Sequence, residues 1–293
     1  MNILVTGGSG FIGSHVVDKL IDAGHSVRVL DTKKPAYRDD VEYIKGDITL
    51  EKDIKKSISG IDTVCHIAAF ADINRVKGNP LLTVKYNIMG TAYLLEECRK
   101  QRVKRFLLAS TVFIYDERGH LYTTSKAASE MLCRNYQLLY SLPYTILRYG
   151  TAYGPRSRGD DVIALFVKRA LNGQNLVIHG KGKQKRNLTY VEDLASGTVA
   201  ALADVAENRT YTLVNERSVS IKELAETVRK IVNNKIAIEF DSSRQDDYQG
   251  KIPDDTEIER QNRELGWEAG IDIEDGIKKY VDWYQKAGKI GTR

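Results

Sequence analysis

Residues 6–13 are Thr-Gly-Gly-Ser-Gly-Phe-Ile-Gly, and they follow directly on a short apolar run at residues 3–5. Gly7, Gly10 and Gly13 give the spacing Gly-x-x-Gly-x-x-Gly. The first glycine permits a tight turn, the second lets the backbone approach a pyrophosphate, and the third allows close contact with the helix that begins here. The helix N-terminus offers free N–H groups and positive potential to an anion. The stretch therefore predicts the first strand, turn and helix of a dinucleotide-binding sheet.

An acidic residue stands where such a sheet selects its cofactor. Asp31 ends the second predicted strand, where a carboxylate accepts hydrogen bonds from both ribose hydroxyls and repels a 2′-phosphate. Lys33 and Lys34 follow, and two cations at this place are able to hold a 2′-phosphate, although after an acidic residue they more commonly form a solvated turn. Because the predicted strand, the helix and the carboxylate follow one another at the spacing of a dinucleotide site, the sequence favours NAD over NADP.

The first half of the chain alternates short β-branched runs with amphipathic helical stretches. Strands are predicted at 3–5, 26–30, 41–44, 63–67, 106–109 and 145–147, and two longer helices at about 81–100 and 123–140. This pattern demands a parallel sheet with helices on both faces, the doubly wound Rossmann-type α/β arrangement. We expect an NAD-binding domain over 1–152, completed by about 186–210, and a smaller, interleaved α/β substrate domain over 153–293, because no flexible joint separates the two halves.

A second group of chemistry-bearing residues lies at 122–126, Tyr-Thr-Thr-Ser-Lys. Tyr122 and Lys126 are four residues apart, so a helix places the phenol and the ammonium on one face. The cation and an oxidised nicotinamide ring stabilise the phenolate, so that Tyr122 is able to take a proton from an alcohol. Thr111 follows the strand at 106–109 and offers a hydroxyl to the same substrate oxygen. A Tyr–Lys spacing alone commonly marks an exposed helix face, but together with the glycine loop it predicts a catalytic site.

Composition narrows the class of protein. The chain has 293 residues, 42% hydrophobic and 28% charged, which is close to the usual globular share and argues against disorder. A formal net charge of +5 is mild and dispersed, so no nucleic-acid partner is expected. The three cysteines and five histidines lack metal-ligand spacing, so we expect no metal and a reduced, cytoplasmic protein. No apolar run reaches the roughly 18 residues of a membrane span, so no membrane partner is expected.

The sequence resembles the extended short-chain dehydrogenase/reductase family, and within it the NAD-dependent epimerase/dehydratase group that acts on nucleotide sugars. The resemblance covers nearly the whole chain. Besides the glycine loop, Asp31, Thr111, Tyr122 and Lys126, it rests on Gly46-Asp47-Ile48, His66-Ile67-Ala68-Ala69, Asn87, Gly90-Thr91, Glu130, Leu147-Arg148-Tyr149, Tyr153-Gly154-Pro155, Gln184, Arg186, Tyr190-Val191-Glu192-Asp193 and Leu265-Gly266-Trp267.

The resemblance implies further contacts with the cofactor. Asp47 and Ile48 are expected to flank the adenine, Ala68 and Ala69 to line the cofactor channel, and Lys126 to bind the nicotinamide ribose as well. The predicted cofactor-site residues are thus Gly7, Gly10, Phe11, Ile12, Gly13, Asp31, Asp47, Ile48, Ala68, Ala69, Asn87, Tyr122 and Lys126.

Substrate contacts are expected from residues in both halves of the chain. By the resemblance, Arg186 and Arg244 grip the diphosphate of the substrate. Arg186 belongs to a basic turn, and arginine suits phosphate oxygens, whereas the lysines of that turn are expected to be solvated. Ser110 and Thr151 complete the predicted substrate-binding set.

Departures from the family pattern bear on the substrate. Dehydratases and decarboxylases of the group usually carry acidic residues just after the threonine; Val112 and Phe113 stand there, so those activities lose a needed group. Only ten residues separate the threonine from the tyrosine, so part of the usual substrate rim is missing or replaced. Gly150-Thr151 occupies the place where many members have Phe-Asn.

The resemblance implies an NAD-dependent nucleotide-sugar epimerase, acting at C4 of a hexose and favouring a UDP-sugar. Tyr122 would remove the hydroxyl proton while hydride passes to NAD, and the keto-sugar would turn and take the hydride back on its other face. One alternative is an NAD(P)H-dependent reductase or dehydrogenase of a keto-sugar or other carbonyl compound. Another is a non-catalytic dinucleotide-binding sensor or scaffold. Second, half-apolar faces on the two longer helices predict a homodimer.

Overall fold

The computed structural model describes residues 1–115, 120–243 and 255–290. The described residues divide into two compact units. The first is drawn from Met1–Tyr149, Leu194–Leu213 and Lys251–Trp267, and the second from Gly150–Asp193, Val214–Gly250 and Glu268–Arg293. The chain thus passes between the units more than once. The domain division expected from the sequence, with its boundary at 152 and a return at about 186–210, stays a prediction.

The strands and helices follow each other in the order that the alternating pattern predicts for the first half of the chain. The strands are β1 (Asn2–Thr6), β2 (Ser26–Asp31), β3 (Glu42–Lys45), β4 (Thr63–His66), β5 (Arg105–Thr111), β6 (Tyr144–Tyr149), β7 (Thr151–Tyr153), β8 (Leu176–His179), β9 (Lys185–Arg186), β10 (Leu188–Tyr190), β11 (Arg209–Leu213), β12 (Val219–Ser220) and β13 (Ile238–Asp241). The helices are α1 (Phe11–Asp22), α2 (Glu51–Ile58), α3 (Ile73–Gly78), α4 (Pro80–Thr83), α5 (Gly90–Gln101), α6 (Leu121–Tyr140), α7 (Val162–Leu171), α8 (Val191–Ala200), α9 (Ile221–Val232), α10 (Asp255–Leu265) and α11 (Ile273–Ile290).

The first unit is built on a parallel sheet. Within the described residues, seven strands lie side by side in the order β11-β6-β5-β4-β1-β2-β3. Every neighbouring pair is parallel. The chain leaves β1 towards β2 and β3 and returns to β4 on the other side of β1, so the strand order reverses between β1 and β4. The predicted Rossmann-type fold class is confirmed, and the reversal point is where such sheets bind their ligands.

All three cysteines are buried in this unit. Cys98 and Cys133 lie in the apolar cluster beneath β1, β4 and β5, and Cys65 is buried within β4. All three are unpaired. Burial raises the pKa of the Cys65 thiol to about 12, which keeps it protonated and inert. In the described part of the chain there is no cluster of metal-ligating side chains.

The long helix predicted at about 81–100 is divided into three segments. Residues Val84–Met89 form a π-helical segment between α4 and α5. Hydrogen bonds in a π-helical segment span five residues, one more than in an α-helix. The side chains of this segment therefore point in directions that a continuous α-helix would not give them. Its buried member is Asn87, which bonds to other parts of the unit.

Several apolar residues of the longer helices point outward. The exposed large side chains on α4, the π-helical segment and α6 are Leu81, Leu82, Val84, Met89, Met131, Leu138, Leu139 and Tyr140. The homodimer that these faces predict stays a prediction. No helix among the described residues has the length and apolar character needed to cross a membrane.

The second unit has its own core. Helices α7, α9 and α11 supply buried side chains around β8, including Phe166, Leu224 and Ile277. Strand pairs are short: β13 lies parallel to β8, β10 parallel to β7, and β12 antiparallel to β9. Tyr153 reaches the start of α11, where a Cβ on Gly276 would collide with its ring.

Candidate active site

The turn after β1 leaves room for glycine only. Gly7 has φ +74°, and a Cβ there would lie 2.7 Å from the backbone nitrogen of Ala68. A Cβ on Gly13 would collide with the carbonyl oxygen of Gly7, far inside van der Waals contact. The Gly10 N–H donates to the Gly7 carbonyl at 3.0 Å, which closes the turn. The loop therefore packs directly against the segment that follows β4, at the reversal point of the sheet.

Helix α1 begins where the turn ends. Its N-cap is Gly10, which supplies no side-chain cap. The first amides of a helix have no intrahelical acceptor, so the N–H groups of Phe11, Ile12 and Gly13 are placed to bind an anion. A cradle that any Cβ would fill, capped by open helical amides, fits the pyrophosphate of a dinucleotide.

Asp31 does more than the sequence indicated. Its Oδ2 accepts the Ser9 N–H at 3.1 Å and its Oδ1 accepts the Lys33 N–H at 3.0 Å. The Ser9 hydroxyl in turn donates to the Lys33 carbonyl at 2.7 Å. The carboxylate thus fixes the glycine loop to the turn after β2. Oδ1 also accepts the Thr32 hydroxyl at 3.5 Å, while Oδ2 keeps a further lone pair, so the expected contact with ribose hydroxyls is compatible with these bonds and stays a prediction.

Asp47 and Ile48 lie just after the end of β3. The Asp47 carboxylate accepts the Thr49 N–H at 2.8 Å and the Tyr86 hydroxyl at 3.0 Å. Ile48 is buried. The predicted adenine contacts at these two residues are untested, and Tyr86, on the π-helical segment, is a neighbour that the sequence did not indicate.

Asn87 joins three parts of the first unit. Its amide oxygen accepts the Phe70 N–H at 2.7 Å, and its amide nitrogen donates to the Phe70 carbonyl at 3.2 Å and to the Ser125 hydroxyl at 2.9 Å. It therefore links the segment that contains Ala68 and Ala69 to helix α6. These contacts position both elements; the predicted contact of the three residues with the cofactor stays a prediction.

The predicted catalytic residues come from β5 and α6. Thr111 is the last residue of β5, is 5% exposed, and accepts the Phe113 N–H at 3.3 Å. Tyr122 is the second residue of α6 and is half-buried, with its ring centroid 6.0 Å from that of His120. Lys126 is 3% exposed, and its ammonium donates to the Ala109 carbonyl on β5 at 2.7 Å. The lysine thus fastens the start of α6 to the strand that ends in Thr111.

Burial makes this lysine unusual. It lowers the pKa of Lys126 to about 8, against smaller opposing effects of Cys133 and Glu130. The ammonium is therefore charged at neutral pH inside a medium of low polarity, where its attraction for a phenolate one helical turn away is strong. This arrangement suits a tyrosine that exchanges a proton with a substrate hydroxyl.

His66 and Ser110 are both enclosed. His66 lies between the hydroxyls of Thr6, at 2.7 Å, and Thr91, at 3.0 Å. Burial and the charge of Lys126 lower its pKa to about 3, so the imidazole is neutral. The Ser110 hydroxyl donates to the Glu130 carboxylate at 2.7 Å and the residue is 3% exposed. Its predicted substrate contact is untested, and its bond to Glu130 fits a supporting role.

The remaining predicted substrate residues belong to the second unit. Thr151 is half-buried on β7, in register with Leu188 of β10. Arg186 is half-buried on β9 and donates to the Lys185 carbonyl at 3.0 Å. Arg244 lies outside the described residues. The diphosphate contacts expected of the two arginines stay predictions.

The first unit as a whole defines a class. A dinucleotide cradle at the reversal point of a parallel sheet, with a tyrosine and a buried lysine on the neighbouring strand–helix pair, is the arrangement of a nicotinamide-dependent enzyme that moves hydride to and from an alcohol carbon. The chain belongs to the NAD-dependent epimerase/dehydratase family, whose model matches residues 3–215. Its cofactor is accordingly NAD.

Relatives of this chain carry more than one activity. A UDP-glucuronate 4-epimerase of Thermodesulfobacterium geofontis is 31% identical, over 96% of this chain and 95% of that one. UDP-glucuronic acid decarboxylase 1 of Xenopus tropicalis is also 31% identical, over 97% of this chain and 72% of that one. The crystal structure of UDP-glucose 4-epimerase from Thermotoga maritima with UDP-glucose matches with a TM-score of 0.90 and 31% identity, covering 98% and 99% of the two chains. Overall similarity thus supports an enzyme and leaves its reaction to be argued from the site.

Proposed function

We propose that this protein is an NAD-dependent nucleotide-sugar 4-epimerase with a UDP-sugar as substrate. The observation that carries the proposal is the pair of residues directly after Thr111. Val112 is buried and Phe113 donates its N–H to Thr111, so both lie at the end of β5, and because both side chains are hydrocarbons neither brings a carboxylate there. Decarboxylation and dehydration need further proton-transfer groups beyond those of a reversible oxidation. Epimerases among the relatives support the same choice.

The residues of the first unit divide the reaction between them. Tyr122, as the phenolate, takes the proton of the C4 hydroxyl, and the Lys126 ammonium stabilises that phenolate before it accepts the proton. Thr111 donates its hydroxyl to the same oxygen and holds it at the end of β5. The glycine loop after β1 would hold NAD, which would supply the acceptor and donor of the C4 hydride. The keto-sugar turns between the two transfers, and Tyr122 then gives the proton back, so proton and electrons balance over one cycle.

The proposal includes the finer expectations from the sequence. Arg186 and Arg244 bind the substrate diphosphate, and Thr151 contacts the sugar or its phosphate. The outward-facing apolar residues of α4, the π-helical segment and α6 form a homodimer interface, because exposed apolar surface of this kind marks protein contacts. Three unpaired, buried cysteines favour a reducing compartment, the cytoplasm.

The test is to follow UDP-glucose, UDP-galactose, UDP-glucuronate and UDP-N-acetylglucosamine by NMR with purified protein and no added cofactor. Conversion of one sugar to its C4 stereoisomer is expected, because the hydride returns to the molecule that gave it. Formation of UDP-xylose and carbon dioxide from UDP-glucuronate would replace the proposal with a decarboxylase. Turnover that requires stoichiometric NADH and a keto-sugar would replace it with a reductase, and NAD binding without any turnover would favour a sensor.

A matched pair of variants ties the activity to the site. Tyr122→Phe removes the phenolic proton acceptor, so we expect turnover to fall by about 10²-fold or more with NAD binding retained. Tyr136→Phe makes the same chemical change on the same helix, where the hydroxyl bonds to Glu96 at 3.4 Å, and should leave turnover unchanged.

A further inference from the structure

A buried carboxylate lies one helical turn beyond the catalytic lysine. Glu130 is on α6, four residues after Lys126, and is 1% exposed. Its Oε1 accepts the Ser110 hydroxyl at 2.7 Å and the Arg148 Nε at 3.0 Å, and its Oε2 accepts Arg148 Nη2 at 2.8 Å and Arg134 Nη2 at 2.9 Å. These bonds hold the pKa of Glu130 below its usual range despite the burial, so it is charged. The carboxylate therefore joins helix α6 to strands β5 and β6.

Arg148 extends the network further. Its Nη1 donates to the Tyr115 hydroxyl at 2.8 Å, and its guanidinium lies 4.7 Å from the centre of the Tyr115 ring. The Tyr115 hydroxyl shares a hydrogen bond with the Thr212 hydroxyl at 2.8 Å, on strand β11. The network thus reaches from α6 through β6 to the 3-10 turn Val112–Tyr115 and the far edge of the sheet.

Members of this network adjoin the reacting groups. Ser110 directly precedes Thr111, and Glu130 follows Lys126 by one turn. Stability alone does not require such a group, because a buried ion pair is often replaced by apolar residues of similar volume without loss of stability. What an apolar replacement could not supply is a fixed charge beside the lysine.

The charge environment of the Lys126 ammonium shows what that charge does. Around it lie the Ala109 carbonyl on β5, the neutral His66 on β4, and Glu130 and Cys133 on its own helix, with Tyr122 one turn before it. Burial favours the neutral amine, and the Glu130 carboxylate opposes it. Arg148 and Arg134 pair with that carboxylate and reduce its effect on the lysine.

We propose that Glu130 is a positioning residue of the reaction: it holds α6 against the end of β5, and its charge keeps Lys126 protonated. The inference rests on the roles proposed for Tyr122 and Lys126. Arg148 sets how much of the Glu130 charge the lysine experiences. The pair therefore tunes the pH at which the ammonium is lost, besides fixing the distance between strand and helix.

Two variants separate charge from packing. Glu130→Gln removes the negative charge, so the alkaline limb of the kcat profile should move to lower pH. Arg148→Gln leaves Glu130 less neutralised, so the same limb should move to higher pH. We also expect kcat to fall about tenfold to a hundredfold in both, because α6 loses part of its attachment to the sheet. A purely structural network predicts damage in both variants without opposite shifts.

The double variant Glu130→Gln/Arg148→Gln keeps the proposal testable if either single variant fails to fold. It buries neither charge alone, so it should fold and its alkaline limb should lie between those of the single variants. The matched control is Glu207→Gln, which breaks the 3.0 Å ion pair with Arg105 at the opposite end of β5. It should change neither kcat nor the position of the limb.

Direct titration of Lys126 distinguishes this inference from the proposed epimerase activity. Lysine labelled with ¹³C at Cε is followed by NMR in the NAD-bound protein, and the Lys126 signal is identified by its loss in Lys126→Met. Opposite displacements of its titration in Glu130→Gln and Arg148→Gln, together with a lowered kcat on the same UDP-sugar, support the inference. Unchanged or parallel displacements overturn it. Opposite displacements in a protein that turns over no UDP-sugar would leave it standing and remove the proposed function.

Discussion

Replacing Lys126 with methionine should stabilise the protein while removing its activity. The side chain is almost fully buried, and burial lowers its pKa from the ordinary 10.5 to about 8. The folded state therefore binds this proton less tightly than the unfolded chain, so the ammonium destabilises the fold at neutral pH, and the destabilisation is relieved as pH rises from about 8 towards 10.5. Methionine has a similar length and no charge. The variant lacks the cation that is proposed to stabilise the Tyr122 phenolate, so its activity should be lost.

The size of the effect follows from those two pKa values. At pH 7 the buried ammonium costs about 3 kcal/mol of unfolding free energy, and at pH 9.5 the cost has fallen to about 1 kcal/mol. The variant also loses the 2.7 Å bond to the Ala109 carbonyl, which offsets about 1–3 kcal/mol at any pH. The stability advantage of the variant over the wild type should therefore shrink by about 2 kcal/mol between pH 7 and pH 9.5.

The assay is urea unfolding of both proteins, freed of NAD, followed by circular dichroism at the two pH values. Other titrating groups are common to both proteins and cancel in the difference. A difference in unfolding free energy that stays constant between pH 7 and pH 9.5 would refute the reasoning, because it would show that the lysine does not titrate at a lowered pKa in the folded state. Full activity in the variant would separately refute the role of the ammonium.

Three further changes test other parts of the first unit. Gly13→Ala should weaken NAD binding at least tenfold in calorimetry, since its Cβ would collide with the Gly7 carbonyl oxygen, whereas Gly78→Ala, with open space around it, should not. Asp31→Ala should weaken NAD binding and reduce discrimination against NADP, because it removes the carboxylate that accepts two loop amides; unchanged cofactor preference would argue against its ribose contact. Burial lowers the pKa of His66 to about 3, so between pH 7 and pH 4.5 only the unfolded chain takes up a proton at this residue. The unfolding free energy of the wild type should therefore fall by about 2.5 kcal/mol over this range because of His66. His66→Gln should lack this loss, and an equal acid sensitivity in the variant would contradict the argument.

Local patterns predicted the elements of the first unit well. The glycine loop, the strand ends and the Tyr122–Lys126 spacing are each set by residues close together in the chain, and the predicted strands lie within two residues of the observed ones. The π-helical segment could not be predicted in this way. It depends on Asn87 meeting Phe70 and Ser125, which are 17 and 38 residues away.

The contacts that support the site could not be predicted from the sequence for the same reason. Glu130 and Arg148 were visible only as family motifs, because their pairing across 18 residues, and the bonds to Ser110 and Thr212 beyond them, exist only once β5, β6 and β11 lie side by side. Asp31 was predicted from its cofactor role, while its hold on Ser9 needs the folded turn. The sequence thus identifies the candidate reacting groups more readily than the contacts that hold those groups in place.

Helix α6 shows why three acid–base residues at a spacing of four serve one reaction. Its first turn presents Tyr122, its second buries Lys126 against the Ala109 carbonyl of β5, and its third places Glu130 on Arg148 of β6. In the proposed reaction the first turn provides proton transfer, the second stabilises the phenolate, and the third controls the charge on the lysine. In this proposal the buried lysine destabilises the fold but stabilises the phenolate of the tyrosine, and the glutamate limits how readily that lysine loses its proton. A change in any one of the three alters the pH range in which the other two act together.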